Sequence, residues 1–201
     1  MAIATSRCLF LHIPKTAGTF VRAVLESLDK VEIVGDDVHA HFPTIKDPLE
    51  RPIFCFVRHP VSWYLSRFAF RLQYGWVGIH PLDSKCASND FDTFIDNVCE
   101  AYPQGWLTKE YSMFIDKSPR IPLIGRVENL TDDLYAILRQ FKYRVSRKKM
   151  TKLGLVNNSN FGKLRPRDVI KISKETERKI IELERRVIDR YYENYDCMLI
   201  Q

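Results

Sequence analysis

One run near the start of the chain, Cys8-Leu9-Phe10-Leu11-His12-Ile13-Pro14-Lys15-Thr16-Ala17-Gly18-Thr19-Phe20, constrains the fold more than any other. Apolar residues of strand length meet a short loop holding Lys, Thr and Gly, and a helical pattern (Phe20, Val21, Val24, Leu25, Leu28) follows at once. Strand, tight loop and helix is the arrangement by which α/β folds hold a phosphate, because the amides of the first helical turn point outward and the helix dipole favours an anion there. Gly18 lets the backbone approach a ligand, Lys15 adds a point charge, and Thr16 and Thr19 add hydroxyl donors. The same pattern with a merely solvated Lys is an ordinary strand-to-helix turn, so the loop by itself leaves both readings open.

The nucleotide loop of ATP- and GTP-binding proteins requires G-x-x-x-x-G-K-[ST]. Here the Lys precedes the Gly and no upstream Gly is present. The expectation is a phosphate loop of a different kind.

At 201 residues, with 45% hydrophobic and 28% charged side chains and no repeat or low-complexity tract, the chain is read as one domain with a sizeable core. No apolar run approaches the roughly 20 residues of a membrane span, and no secretory signal is visible, which points to a cytoplasmic protein. The five cysteines are odd in number and form no CxxC pair, and Cys8 and Cys55 sit inside apolar runs as buried thiols. A net charge of +6 suits an anionic ligand but is modest for a dedicated nucleic-acid binder, so no nucleic-acid partner is expected.

Val31-Glu32-Ile33-Val34 reads as a second strand, followed by a loop carrying His39 and His41. In a parallel sheet that loop opens on the same edge as the phosphate loop. A His with a near-neutral pKa is the natural base for a hydroxyl. His-x-His is also half of a metal site, but no ligand cluster at metal spacing accompanies it, and no metal is expected.

The continuous apolar run Ile53-Phe54-Cys55-Phe56-Val57 reads as a strand covered on both faces. It ends in Arg58-His59-Pro60, with Pro60 suited to the first position of a helix through Trp63, Tyr64, Arg67, Phe68 and Arg71. Ser66 lies eight positions beyond Arg58, about two turns into that helix. A bidentate Arg and a Ser hydroxyl at this spacing can grip one phosphate.

Residues 73–90 read as an irregular insert that either shapes an acceptor site or packs as a surface loop. Asp90 is the expected cap of a helix through Phe91, Phe94, Ile95 and Val98, and a short helix around Trp106 to Phe114 follows. Residues 121–127 read as a strand near the sheet edge because of Pro122, and 130–141 as a helix. The basic run 142–152 reads as a solvated face or as a polyanion contact. Val156 to Lys163 reads as a polar loop, and Ser173 caps a long amphipathic helix reaching Tyr191.

Three segments carry a resemblance. Pro14-Lys15-Thr16-Ala17-Gly18-Thr19 resembles the 5′-phosphosulfate loop of sulfotransferases that use 3′-phosphoadenosine 5′-phosphosulfate (PAPS). Phe56-Val57-Arg58-His59-Pro60 with Ser66 resembles their 3′-phosphate motif, with His59 where Asp is usual. The segment His39-Ala40-His41-Phe42 resembles the base segment of glycan O-sulfotransferases of the heparan sulfate 2-O type.

The resemblance implies a single-domain, P-loop-like three-layer α/β fold with a central parallel sheet of four or five strands flanked by helices. It implies PAPS as donor, 3′-phosphoadenosine 5′-phosphate (PAP) as product, and no metal. Lys15, Thr16, Ala17, Gly18, Thr19 and Phe20 would contact the 5′ side, with Lys15 also catalytic, and Arg58 and Ser66 the 3′-phosphate. Ser159, Lys163 and Arg165 would close over the nucleotide, His41 would be the base, and His39 a substrate contact. The implied acceptor is a hydroxyl, on a carbohydrate or a small molecule. Two rival expectations stand beside this one: a non-catalytic polyanion binder on the same fold, and an ATP-dependent kinase with a degenerate loop.

Overall fold

The computed structural model describes residues 2–34, 50–117, 120, 122–158 and 170–193, the last five of the 122–158 stretch by their backbone only. In chain order the elements are β1 (Ala2–Ala4), β2 (Leu9–Leu11), α1 (Gly18–Glu26), β3 (Glu32–Val34), β4 (Ile53–Val57), α2 (Pro60–Tyr74), α3 (Pro81–Cys86) and α4 (Phe91–Ala101). There follow α5 (Trp106–Tyr111), β5 (Leu123–Arg126), α6 (Leu130–Gln140), α7 (Arg147–Asn158), α8 (Lys174–Leu183) and α9 (Arg185–Ile188). They form two compact units, one drawn from Met1–Arg58 and Tyr111–Phe161, the other from His59–Glu110 and Gly162–Tyr195.

The first unit is a five-stranded sheet in the order β3-β1-β2-β4-β5, flanked by helices. The fold is α/β, but the sheet is mixed and not parallel throughout. β1 runs antiparallel to both β2 and β3, while β2–β4 and β4–β5 are parallel. The departure comes from Ala2-Ile3-Ala4, which turns back onto β2 through a bend closed by Thr5. Its amide donates to Cys8 O at 2.9 Å, and its Oγ1 accepts from the amides of Arg7 and Cys8. A consequence bears on the site. Because β2 and β3 are both antiparallel to β1, they point the same way, and β3 ends at Val34 on the sheet edge where β2 meets its loop.

Along the strands, alternate residues fill two apolar faces. Ile3, Phe10, Phe54 and Phe56 pack against Phe20, Val21, Val24 and Leu25 of α1, Leu134, Ile137 and Leu138 of α6, and Met150 of α7. The opposite face, Ala2, Ala4, Leu9, Leu11, Cys55 and Val57, is also buried, which is why β2 and β4 read as unbroken apolar runs. β5 occupies the edge, as Pro122 suggests. Gly125 faces Phe56 across the β4–β5 register, and a Cβ there would fall on the Phe56 ring.

The second unit is helical. Pro60 opens α2 as expected, Asp90 caps α4 by accepting from the Thr93 amide at 2.8 Å, and Ser173 caps α8 by accepting from the Thr176 amide at 3.0 Å. Two expectations change. The insert 73–90 contains α3, held by Asp83, whose buried carboxylate accepts from Arg67 Nη2 at 2.6 Å and pairs with Arg71 Nε at 2.5 Å. The long C-terminal helix breaks at Glu184 into α8 and α9. Glu184 is fully buried, and its carboxylate accepts from Tyr64 OH at 2.6 Å, the amides of Leu107 (2.9 Å) and Thr108 (2.8 Å), and Thr108 Oγ1 (2.7 Å). Gly105, in the left-handed region at φ 84°, is the residue that makes room, since a Cβ there would meet this carboxylate.

Glu110 is buried differently. The residue is half-buried, yet its Oε2 is inaccessible and accepts no hydrogen bond among the described residues. Burial pushes the carboxyl up from 4.5 to about 7, against the pull of the Arg67 and Lys109 charges. The folded state therefore holds this proton more tightly than the unfolded chain. That contribution to stability is full below about 4.5 and is lost as pH rises to about 7. Glu110→Gln is expected to flatten this decline and to be more stable than the wild type at pH 8. Denaturant melts between pH 4 and 8 check it, and an unchanged pH slope in the variant would contradict it.

Candidate anion site at the β2 and β4 strand ends

The loop after β2 is shaped by its own hydrogen bonds. Thr16 is fully buried, and its Oγ1 donates to Ile13 O at 2.9 Å while its amide approaches the same oxygen at 3.4 Å. The hydroxyl expected to face a ligand is thus committed to closing the loop, which leaves Thr19, exposed on the first turn of α1, as the outward hydroxyl. Lys15 and Ala17 both adopt left-handed backbone, φ 64° and 65°. Each such non-Gly residue costs roughly 1–2 kcal/mol. Strain of this kind persists where surrounding structure imposes it, and it concentrates at ligand sites. A left-handed residue followed by a helical one turns successive N–H groups toward one concavity, the geometry of anion-binding nests.

Ala17 is the N-cap of α1 and offers no side-chain acceptor, and the first turn holds no carboxylate. The positive end of the helix dipole is therefore not offset by the N-cap side chain or by a carboxylate within the first turn. Gly18 is required for steric reasons: a Cβ there would fall on the imidazole of His12, which stacks on Phe10 with ring centroids 6.0 Å apart. The His12 ring thus roofs the first turn of α1.

β4 is the parallel neighbour of β2, with Leu11 opposite Cys55, so Arg58 emerges beside the loop. Arg58 Nη1 donates to the carbonyl of Lys15 at 3.2 Å. The backbone of Arg58 is itself held. Its amide donates to Tyr111 Oη at 2.7 Å, and the Tyr111 hydroxyl donates to Arg58 O at 3.1 Å. Tyr111 is buried at 1% exposure. Its sequence context, an aromatic among helical residues, carries no sign of this role.

Of the residues expected from sequence, Lys15, Thr16, Ala17, Gly18, Thr19, Phe20 and Arg58 come together in the first unit. Phe20 is a core residue of α1. Ser66 stands half-buried on α2 in the second unit. His59 stands at the N-cap position of α2, and its ring meets that of Tyr192 at 5.2 Å. His39, His41, Ser159, Lys163 and Arg165 lie outside the described residues.

No protein-family model, curated protein or solved structure matches this chain. Among the described residues no helix is long and apolar enough to cross a membrane.

Proposed function

We propose that this chain is a PAPS-dependent O-sulfotransferase acting on an acceptor hydroxyl, on a carbohydrate in the first instance. The observation that carries the reading is the hydrogen bond from Arg58 to the Lys15 carbonyl. It joins the two segments read from sequence as phosphate contacts, 43 residues apart, on neighbouring parallel strand ends and beside a helix N-terminus whose N-cap residue, Ala17, carries no side-chain acceptor. The residues present fit a doubly phosphorylated nucleotide: strained loop amides and Lys15 for one anionic group, Arg58 for another.

When bound, the nucleotide supplies a sulfuryl group whose bridge to the 5′-phosphate breaks as the acceptor oxygen attacks. The chain's part is positioning and charge. Lys15 and the amides at the start of α1 face the negative charge that develops on the leaving phosphate. His41 takes the proton of the acceptor hydroxyl. Arg58→Ala is expected to weaken PAP binding roughly 10–100-fold, the range for losing a hydrogen-bonded charge. Calorimetric titration reads this directly, and unchanged affinity would remove Arg58 from the site.

A second reading rests on charge. Seven of the chain's 31 Lys and Arg, and none of its 25 Asp and Glu, fall in residues 139–152, so the rest of the chain is net −1. All seven are exposed: Arg139, Lys142, Arg144, Arg147, Lys148, Lys149 and Lys152. Arg147 pairs with Asp132 at 2.8 Å. A binder of polyanions using this face would hold heparin with an affinity that falls steeply with salt, and would show no turnover.

A further inference from the structure

We infer that Tyr111 is a positioning residue for Arg58, and that the chain's discrimination for a 3′-phosphate acts through its hydroxyl. This rests on the nucleotide reading above. The chain leaves the first unit after Arg58 and re-enters it at Tyr111. These two residues are joined by a pair of hydrogen bonds in which one phenolic oxygen serves both as acceptor from the Arg58 amide and as donor to the Arg58 carbonyl. A hydroxyl with one donor and two acceptor positions fits both backbone groups of a single residue at once.

The arrangement fixes the backbone of Arg58 where it has just left the β4 ladder. Val57 still pairs with Arg126 across the β4–β5 register, but Arg58 lies beyond the paired residues. Its N–H and C=O are both held there by the Tyr111 hydroxyl, at the base of the side chain that carries the guanidinium. With the backbone clasped, Nη1 reaches the Lys15 carbonyl. Burial matters too: at 1% exposure the Tyr111 hydroxyl has little access to water, so these bonds have few competitors. A phenol is needed for this task, since the ring fills the core while the oxygen alone reaches the strand end.

The test is the ratio of PAP to AMP affinity, two nucleotides differing only by the 3′-phosphate, measured by calorimetry for wild type, Tyr111→Phe, Arg58→Ala and the double variant. Both nucleotides sample the same folded fraction, so the ratio is insensitive to partial unfolding. Tyr111→Phe keeps the ring and is expected to lower the ratio roughly tenfold by weakening PAP with AMP unchanged. In the Arg58→Ala background it is expected to change the ratio no further, because it acts through Arg58. A wild type that discriminates beside a Tyr111→Phe variant that discriminates equally overturns the role of Tyr111 alone. Additive losses in the double variant overturn it as well, by showing a route that bypasses Arg58. A wild type with no preference for PAP overturns the nucleotide reading, and this inference with it.

Discussion

Glu184→Ala is expected to lower the unfolding free energy by roughly 3–5 kcal/mol, since each buried donor left without an acceptor costs about 1–3 kcal/mol. Four donors converge on this carboxylate: Tyr64 OH, the amides of Leu107 and Thr108, and Thr108 Oγ1. Burial raises the Glu184 carboxyl, while these hydrogen bonds pull it down. Folding is stabilised when all four are made and strongly opposed when the acceptor is deleted. Gly105 belongs to the same device, because only a residue without Cβ leaves space for the carboxylate. Tyr64→Phe removes a single donor and is expected to cost far less, about 1 kcal/mol. Denaturant melts of the two variants separate the effects, and a Glu184→Ala loss no larger than that of Tyr64→Phe would contradict the account.

His41→Ala is expected to cut turnover roughly 10²–10⁴-fold, the range for loss of a general base, with PAP affinity little changed. The proposal comes from the His-x-His-Phe segment and from the direction of β3, which ends at Val34 on the sheet edge shared with the loop after β2. An acceptor hydroxyl needs a group that takes its proton near neutral pH, and His is the side chain whose ordinary pKa suits that task. His39→Ala, by contrast, is expected to raise KM for the acceptor. Steady-state kinetics with a labelled donor distinguishes them, and near-normal turnover in His41→Ala would remove it from the chemistry.

Much of the fold was legible because its signals are local. The β4 run, buried on both faces, is uniformly apolar, and Pro60, Asp90 and Ser173 mark helix starts by their own backbone chemistry. β1 was not legible: three residues with two alanines carry no strand propensity, and their pairing is fixed by a turn built on Thr5. That omission turned a mixed sheet into an expected parallel one. α3 was hidden for a related reason. Its six residues are too few for a helical period, and they are organised by ion pairs from Arg67 and Arg71 to Asp83. The break at Glu184 follows the same rule, since a buried carboxylate bound to residues 76 and 77 positions away leaves no trace in the local pattern.

In the site, Lys15 and Arg58 were both nameable from sequence, but the bond between them depends on β2 and β4 being neighbours. Thr16 was nameable as a hydroxyl but not as one turned inward, because the two left-handed residues flanking it are not glycines. Tyr111 could not be found at all, since its partners are backbone atoms of a residue 53 positions earlier.

The measurement that bears most directly on the proposed activity is calorimetric titration of the chain with PAP beside ATP·Mg²⁺ under identical conditions. The loop geometry and the Arg58 contact predict tight binding of PAP and little of ATP·Mg²⁺. Preference for ATP·Mg²⁺ would contradict the sulfotransferase reading and favour phosphoryl transfer, and binding of neither would leave the exposed basic face of residues 139–152 as the functional surface.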